Sequence, residues 1–149
     1  MTCHHTIHKH DHHLGWDNTI EPALSVKPGE TIAIETIDAS GGQLHPKAKV
    51  TDLTALDFDR VNPVTGPVYI EGAEPGDAVA VTFRAFHPLG WGWTANIPGF
   101  GLLAKDFPDP ALHIWDYDIS LCKPAAYAPM GQVALKPFVG TIGLALAEP

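Results

Sequence analysis

Basic residues, cysteines and long apolar runs are all scarce in this 149-residue chain. Nine Lys and Arg stand against seventeen Asp and Glu, which gives a net charge of −8 at pH 7. This charge argues against a nucleic-acid partner, because phosphate backbones attract cationic surfaces. No apolar run approaches the roughly 20 residues that a membrane-spanning helix needs, so we also expect no membrane partner.

The two cysteines, Cys3 and Cys122, are too few for a disulfide framework, although one bridge between them stays open. So few cysteines suit a reducing compartment. The first five residues show no basic-then-apolar pattern of a secretory signal. We therefore expect a cytoplasmic protein.

Glycine and proline are abundant, with fourteen of each spread between short apolar runs. This distribution is typical of many short strands and not of helices. We predict a mainly β fold, a sandwich or irregular barrel of short strands with long Gly/Pro-rich loops. We expect residues 1–11 to be a flexible His-rich N-terminus and residues 12–149 to be a single β-rich domain.

Two Pro-Gly turns precede period-two apolar runs. Residues 27–30 and 74–77 both place Gly after Pro, where a type II turn accepts a positive φ. We predict strands after both turns, the longest over residues 78–86, and a last strand over residues 141–146. Residues 52–58 predict a short helical turn, and residues 87–101 are expected to be loop-rich.

Six of the nine histidines fall in the first thirteen residues. Imidazole is a common ligand for zinc, copper and nickel, and His8, His10 and His12 would share one face of an extended segment. The simpler interpretation is a solvated terminus that binds stray metal weakly. His12 and His13 lie close to Trp16 and Asp17 in sequence. For these two histidines, a functional role and a solvated terminus carry equal weight.

Three carboxylates follow predicted strands. Asp38 precedes Ser40-Gly41-Gly42, whose small side chains leave space for a metal, a water or a substrate; the alternative is an Asp that caps its own turn. Glu71 and Glu74 follow the strand over residues 68–70.

No nucleophile signature is present, because Gly-x-Ser-x-Gly is absent and Cys122 has no neighbouring His in sequence. Trp91 and Trp93 could stack on a planar ligand or pack a loop.

Several stretches together resemble the acetamidase/formamidase family, in the same order and spacing from about residue 12 to the end. The stretch over residues 66–77 is the most specific of them. The matching stretches are residues 15–18, 28–31, 35–43, 62–77, 98–103 and 137–143. One small departure is Asn62, where members often have His.

The resemblance implies a β-rich fold and hydrolysis of small carboxamides, formamide or acetamide, to the acid and ammonia. It also implies a divalent metal ion, with zinc as the first candidate. Family members continue into a second half with Gly-Gly-Asn-Met-Asp and Gly-Asp-x-His motifs, which are absent here. We therefore expect a complementary C-terminal half or second chain as partner, and a homo-oligomer.

On this resemblance we assign Asp38 and Glu71 as catalytic residues, the first to position a metal or water and the second to carry a proton; the two roles could be exchanged. The other assignments follow as a set. The predicted metal ligands are Asp38, His13 and Glu74, and the predicted substrate-binding residues are Trp16, Gly42 and Trp91. The alternative function is a non-catalytic β-domain that binds a metal, a sugar or another small ligand, or acts as an assembly subunit.

Overall fold

The computed structural model describes residues 5–146. These residues form ten short strands, one α-helix and one short 3-10 helix at Phe58–Arg60. The mainly β prediction is confirmed, and the described strands form five two-stranded ladders without a closed barrel. The elements are β1 His5–Ile7, β2 His12–His13, β3 Leu24–Val26, β4 Ile32–Ile34, α1 Val50–Thr54, β5 Val64–Thr65, β6 Val68–Ile70, β7 Trp91–Asn96, β8 Ala111–Asp116, β9 Ala125–Tyr127 and β10 Gly131–Val133.

The chain divides into two compact units. Unit 1 comprises residues up to 41, residues 58–82 and residues from 139 onward, whereas unit 2 comprises residues 42–57 and 83–138. The single domain that the sequence predicts over residues 12–149 stays a prediction. No helix among residues 5–146 is long and apolar enough to cross a membrane.

Unit 1 contains three of the ladders. β1 pairs in parallel with β4, β3 pairs in parallel with β6, and β2 pairs antiparallel with β5. Ile7 at the end of β1 is only 1% exposed, and Val26 at the end of β3 is also buried. These apolar strand ends give unit 1 its core.

The N-terminal segment predicted to be flexible, residues 1–11, contains strand β1, and its flexibility stays a prediction. Residues 1–4 lie outside the described part, but His5 pairs with Ile32 and Ile7 pairs with Ile34. The physical reason is Ile7 itself, an apolar side chain between histidines, because its burial stabilises the ladder.

Unit 2 is built around the antiparallel β7–β8 hairpin, with β9 paired to β10. Leu44, Leu53 and Ala125 are its buried apolar side chains. The helical turn predicted over residues 52–58 overlaps α1, which covers Val50–Thr54, and the Lys49 backbone N–H donates to Asp52 Oδ2 at 2.7 Å. The helix therefore begins with a capping interaction at its first turn.

Both Pro-Gly turns form as the sequence predicts. In each turn, the side-chain carboxylate of the fourth residue accepts a hydrogen bond from the backbone N–H of the first residue. Glu30 Oε2 accepts from Lys27 at 2.8 Å, and Asp77 Oδ2 accepts from Glu74 at 2.9 Å. The glycines at the third position have φ of +89° and +102°. Such left-handed values are low in energy for glycine alone.

The strands predicted over residues 78–86 and 141–146 are wrong for the described chain. Neither segment is assigned to a strand, and residues 78–86 are exposed throughout. A strand requires a neighbour to accept its backbone hydrogen bonds, and residues 5–146 supply none for these two segments. Both remain apolar and uncovered, with Val81, Phe83, Leu144 and others exposed.

Candidate functional site

The candidate site in unit 1 lies at the segment that follows β2, around His13, Trp16 and Asp17. The imidazole of His13 meets the indole of Trp16 edge to face, with ring centroids 6.2 Å apart. Nδ1 of His13 is bonded to the carbonyl oxygen of Gly15. Because a carbonyl oxygen only accepts, Nδ1 is the donor in this bond, and the tautomer with its proton on Nδ1 has its lone pair on Nε2.

Asp17 lies in the matching stretch over residues 15–18, and its carboxylate is hydrogen-bonded in the structure. Its Oδ1 accepts from the hydroxyl and from the backbone N–H of Thr19, both at 2.7 Å. These two bonds, with a smaller contribution from His13, hold the pKa of the Asp17 carboxyl below its usual value. The segment therefore carries a fixed anion next to an imidazole.

Asp38 lies in a tight loop after β4. Its Oδ1 accepts from the Ser40 backbone N–H at 2.9 Å and from the Ser40 hydroxyl. Ser40 is fully buried, and the Asn62 backbone N–H donates to the Ala39 carbonyl at 2.9 Å. The loop thus has the turn-capping geometry that was the alternative interpretation of Asp38, and the carboxylate is held in one position.

Gly41 completes this loop in a conformation that requires glycine. Its φ is +70°, and a Cβ at this position would lie 2.0 Å from the Arg60 carbonyl oxygen. Any side chain would therefore displace the loop or the 3-10 helix Phe58–Arg60. Gly42, one of the predicted substrate-binding residues, follows at φ +75° as the first residue of unit 2.

Glu71 and Glu74 follow β6 on the exposed surface of unit 1. The backbone of Glu71 continues the β3–β6 ladder by donating to the Val26 carbonyl at 2.8 Å. The backbone of Glu74 belongs to the Pro-Gly turn. Within residues 5–146, neither carboxylate makes a hydrogen bond or ion pair, so both are open to solvent.

The predicted metal ligands do not come together in the described structure. Among residues 5–146, no group of three or more His, Cys, Asp or Glu side chains is placed to hold a metal ion. The N-terminal histidines pair locally instead: His8 stacks on His10 with centroids 5.5 Å apart and bonds Glu35 Oε2 at 3.2 Å. The described residues therefore do not supply a complete zinc site.

Unit 2 holds a second cluster, of aromatic side chains around His113, that was not among the predicted site residues. Trp91 lies half-buried at the start of β7, a strand inside the segment that was expected to be loop. On the hairpin, His113 meets Trp115 and Tyr127 edge to face at 4.4 and 4.7 Å between centroids. Trp115 Nε1 donates to Thr94 Oγ1 at 2.7 Å.

A cavity of about 440 Å³ adjoins this aromatic cluster. It is open to solvent, and its walls combine polar side chains with apolar ones. Nε2 of His113 is buried and bonds no described residue. The lining residues used below are Thr94, Asn96, His113, Tyr127 and Met130. The period-two alternation over residues 113–119 was the signal for this shared face.

The chain is similar in structure to solved proteins described as acetamidases. The chain superposes on a predicted acetamidase/formamidase from Thermoanaerobacter tengcongensis with TM-score 0.84 and 27% identity, covering 97% of this chain and 46% of that one. It superposes on an acetamidase from Bacillus halodurans with TM-score 0.76 and 26% identity, covering 95% and 46%.

The chain belongs to the Acetamidase/Formamidase family, whose profile matches residues 2–149. It is 32% identical to a formamidase from Methylophilus methylotrophus over 70% of this chain and 27% of the relative. It is 31% identical to an acetamidase from Mycolicibacterium smegmatis over 74% of this chain and 30% of the relative. The chain thus spans less than a third of these curated relatives.

Proposed function

We propose that this chain is part of an amide hydrolase that converts formamide or acetamide to the acid and ammonia. The observation that carries the proposal is the family match over nearly the whole chain, together with curated relatives named formamidase and acetamidase. Amides resist hydrolysis because the carbonyl is weakly electrophilic and the amine is a poor leaving group. The site must therefore position water and deliver a proton to nitrogen.

Asp38 and Glu71 are proposed for these two tasks. The Ser40 bonds fix the Asp38 carboxylate in place, which suits a group that orients an attacking water. Glu71 is solvent-exposed and unpaired within the described residues, so its carboxylate can take up a proton and release it to the departing nitrogen. Its exposure leaves the Glu71 carboxylate free to exchange protons with water.

We also propose that the site binds a divalent metal ion, with zinc as the first candidate. His13 is the ligand that the geometry favours, because its Nδ1–H donates to a backbone carbonyl and its Nε2 lone pair points away from that bond, as is usual for metal-binding histidines. Asp38 and Glu74 are the other proposed ligands. Since residues 5–146 do not bring three ligands together, a complete set would need donors from outside this part.

We propose that activity needs further polypeptide, either a complementary C-terminal half or a second chain. The chain covers 46% of the two solved relatives, and the metal ligand set is incomplete within residues 5–146. Large apolar side chains also remain exposed in both units, as is typical of surfaces that another polypeptide covers.

We also propose a cytoplasmic location. The low number of cysteines supports it, and Cys122 is free and exposed.

The decisive experiment measures ammonia release from formamide and acetamide. The purified chain is assayed alone, with added zinc, and joined to the part of the Methylophilus methylotrophus formamidase that the alignment leaves uncovered. We expect turnover only in the joined protein, and Glu71→Gln is expected to abolish it whereas Glu21→Gln does not. Full turnover by the isolated chain would show that no further polypeptide is needed.

A second candidate function is a small-ligand binding module, and the cavity in unit 2 favours it. The cavity offers Thr94, Asn96 and Tyr127 as polar groups beside the aromatic cluster. Acetamide binding measured by calorimetry separates the two candidates. A binding module is expected to bind acetamide without releasing ammonia. Tyr127→Ala is then expected to weaken acetamide binding, because Tyr127 lines the cavity in unit 2.

A further inference from the structure

The cavity in unit 2 lies on one face of the β7–β8 hairpin. Thr94 stands directly opposite His113 in the register, and Asn96 stands opposite Ala111. Opposite residues of an antiparallel pair share a face of the sheet, as do residues two apart on one strand. All four residues line the cavity, so its polar side chains stand on paired strands, which position a binding group more exactly than a loop does.

The aromatic cluster fixes the hydrogen-bonding role of Thr94. An indole N–H can only donate, and Trp115 Nε1 donates to Thr94 Oγ1 at 2.7 Å. The hydroxyl hydrogen of Thr94 bonds no residue within the described part of the chain. Because Thr94 is exposed, this hydrogen can be donated to a molecule in the cavity.

The role of Asn96 is fixed in the opposite sense. Its Nδ2 donates to the Phe107 carbonyl at 2.8 Å and to the Asp109 carbonyl at 2.6 Å. These two bonds use both amide hydrogens, so the side chain offers only Oδ1, an acceptor, to the cavity. Since the two carbonyls hold the Asn96 amide in place, little side-chain entropy is lost when Oδ1 accepts from a ligand.

A third polar group on this face lacks a partner. Nε2 of His113 is buried and bonds no residue among 5–146, while Trp115 and Tyr127 hold the imidazole ring edge to face. Buried polar atoms without a partner are rare in native proteins, and they occur where a ligand, an ion or an ordered water completes the hydrogen bonding. This atom is a second, independent indication that the face binds a polar molecule.

We propose that the unit 2 cavity binds a primary carboxamide with an extended apolar acyl chain, and that Thr94 and Asn96 hold its amide group. The amide oxygen accepts from the Thr94 hydroxyl, and an amide N–H donates to Asn96 Oδ1, so one planar group satisfies both side chains. The choice of an amide rests on the proposed function. The extended acyl chain goes beyond formamide and acetamide.

The apolar part of the lining is the reason for the acyl chain. Pro129 and Met130 contribute apolar walls, and Met130 is 76% exposed, so a chain that lies against it removes apolar surface from water. Methionine also adapts its shape to different chains. Full burial of one methylene raises affinity about fourfold, so about twofold per methylene is expected in a cavity that is open to solvent.

Calorimetry with the chain as it stands tests the proposal without requiring turnover. Acetamide, butanamide and hexanamide are expected to bind with affinity that rises about twofold per methylene. N,N-Dimethylbutanamide keeps the carbonyl and the chain but has no N–H for Asn96 Oδ1. It is expected to bind at least about fivefold more weakly than butanamide.

Thr94→Val tests the donor, because valine keeps the shape of threonine and removes the hydroxyl. It is expected to weaken butanamide binding about two- to tenfold, whereas Thr94→Ser keeps the hydroxyl and the affinity. Thr51→Val is the matched control, since Thr51 is exposed on α1 in the same unit and does not line the cavity. It is expected to leave butanamide binding unchanged.

NMR of the unaltered chain gives a second measurement, which holds even where Thr94→Val disturbs folding by removing the acceptor of Trp115. Butanamide is expected to shift the side-chain amide signals of Asn96. The side-chain amide signals of Gln43, whose Nε2 also donates to a backbone carbonyl, are expected to stay in place because Gln43 does not line the cavity.

Each way of failing has its own meaning. Equal affinities for acetamide and hexanamide would overturn the acyl-chain assignment. Equal binding of butanamide and its N,N-dimethyl derivative, or unmoved Asn96 signals, would overturn the site. Ammonia release is measured separately: butanamide binding here without release from any form of the protein supports this site and contradicts the amidase, whereas release without binding here contradicts this site alone.

Discussion

The indole of Trp16 packs directly on the backbone of Gly143, with Cη2 2.9 Å from the position that a Cβ would take. This contact joins the segment after β2 to the apolar segment over residues 141–146, two parts of unit 1 that are far apart in sequence. Trp16 is 37% exposed, so the ring is partly covered by this packing. The predicted substrate-binding role of Trp16 must coexist with this structural one.

Replacing Gly143 by Ala is expected to lower the free energy of unfolding by about 1–3 kcal/mol, because the methyl group overlaps the indole. Gly140→Ala is the matched control, since nothing lies within 4 Å of its added Cβ. That change is expected to be neutral or to stabilise by up to about 1 kcal/mol by restricting the unfolded chain. Urea denaturation measures both; equal effects would contradict the Trp16 contact.

Gly41→Ala is expected to be among the most destabilising alanine substitutions in unit 1. Gly41 combines φ of +70° with an Arg60 carbonyl oxygen 2.0 Å from the added Cβ. Gly72→Ala separates these two costs, because Gly72 has φ of +78° and nothing within 4 Å of its added Cβ. We expect Gly72→Ala to cost about 1–2 kcal/mol for the left-handed backbone, and Gly41→Ala clearly more in the same denaturation assay.

Ile7→Ala is expected to cost about 2–5 kcal/mol of unfolding free energy, since Ile7 is 1% exposed and its truncation leaves a cavity. Deleting residues 1–10 should cost at least as much, because it also removes β1. The control is Thr6→Ala on the exposed side of the same strand. Unchanged melting temperatures for Ile7→Ala would show that β1 does not anchor the N-terminus.

How far the sequence could predict the fold is clearest in the strands. The runs at β3 and β6 are apolar, bounded by turn residues and paired within the chain, so pattern and structure agree. The run over residues 78–86 has an equally good pattern but no neighbour among the described residues. Sequence periodicity reports which face is apolar; it does not report whether a partner strand is present.

The candidate site shows the same limit. A single sequence shows that Asp38 follows a strand, but the Ser40 hydrogen bonds that hold its carboxylate depend on backbone geometry. The sequence does not indicate the two bonds from Thr19 to Asp17, because they form only in the local turn. The His113 cluster needed the β7–β8 register, which brings Thr94 opposite His113.

Stability is expected to fall in acid through Glu35. The Lys9 backbone N–H and the His8 imidazole bond its carboxylate and lower its pKa below the usual 4.5. A carboxyl with a lowered pKa in the folded state stabilises the fold above its unfolded pKa, and this contribution is lost as the pH falls through the folded pKa. Glu35→Gln should flatten the fall in melting temperature below pH 4.5; the exposed Glu21→Gln should leave the profile unchanged.

Asp38→Asn offers the sharpest test of the proposed catalytic assignment. Asparagine keeps a side-chain carbonyl that accepts from Ser40, so the loop and its melting temperature are expected to survive while the negative charge is lost. Asp77→Asn is the matched control, because its carboxylate likewise accepts from a turn N–H, that of Glu74 at 2.9 Å. In the joined protein that releases ammonia, Asp38→Asn should lower kcat/KM by about 10²-fold or more, whereas Asp77→Asn should change it little. Comparable small losses from both substitutions would leave Asp38 with its turn-capping role alone, and the water-positioning group would then have to be sought elsewhere, beginning with Asp17 beside His13.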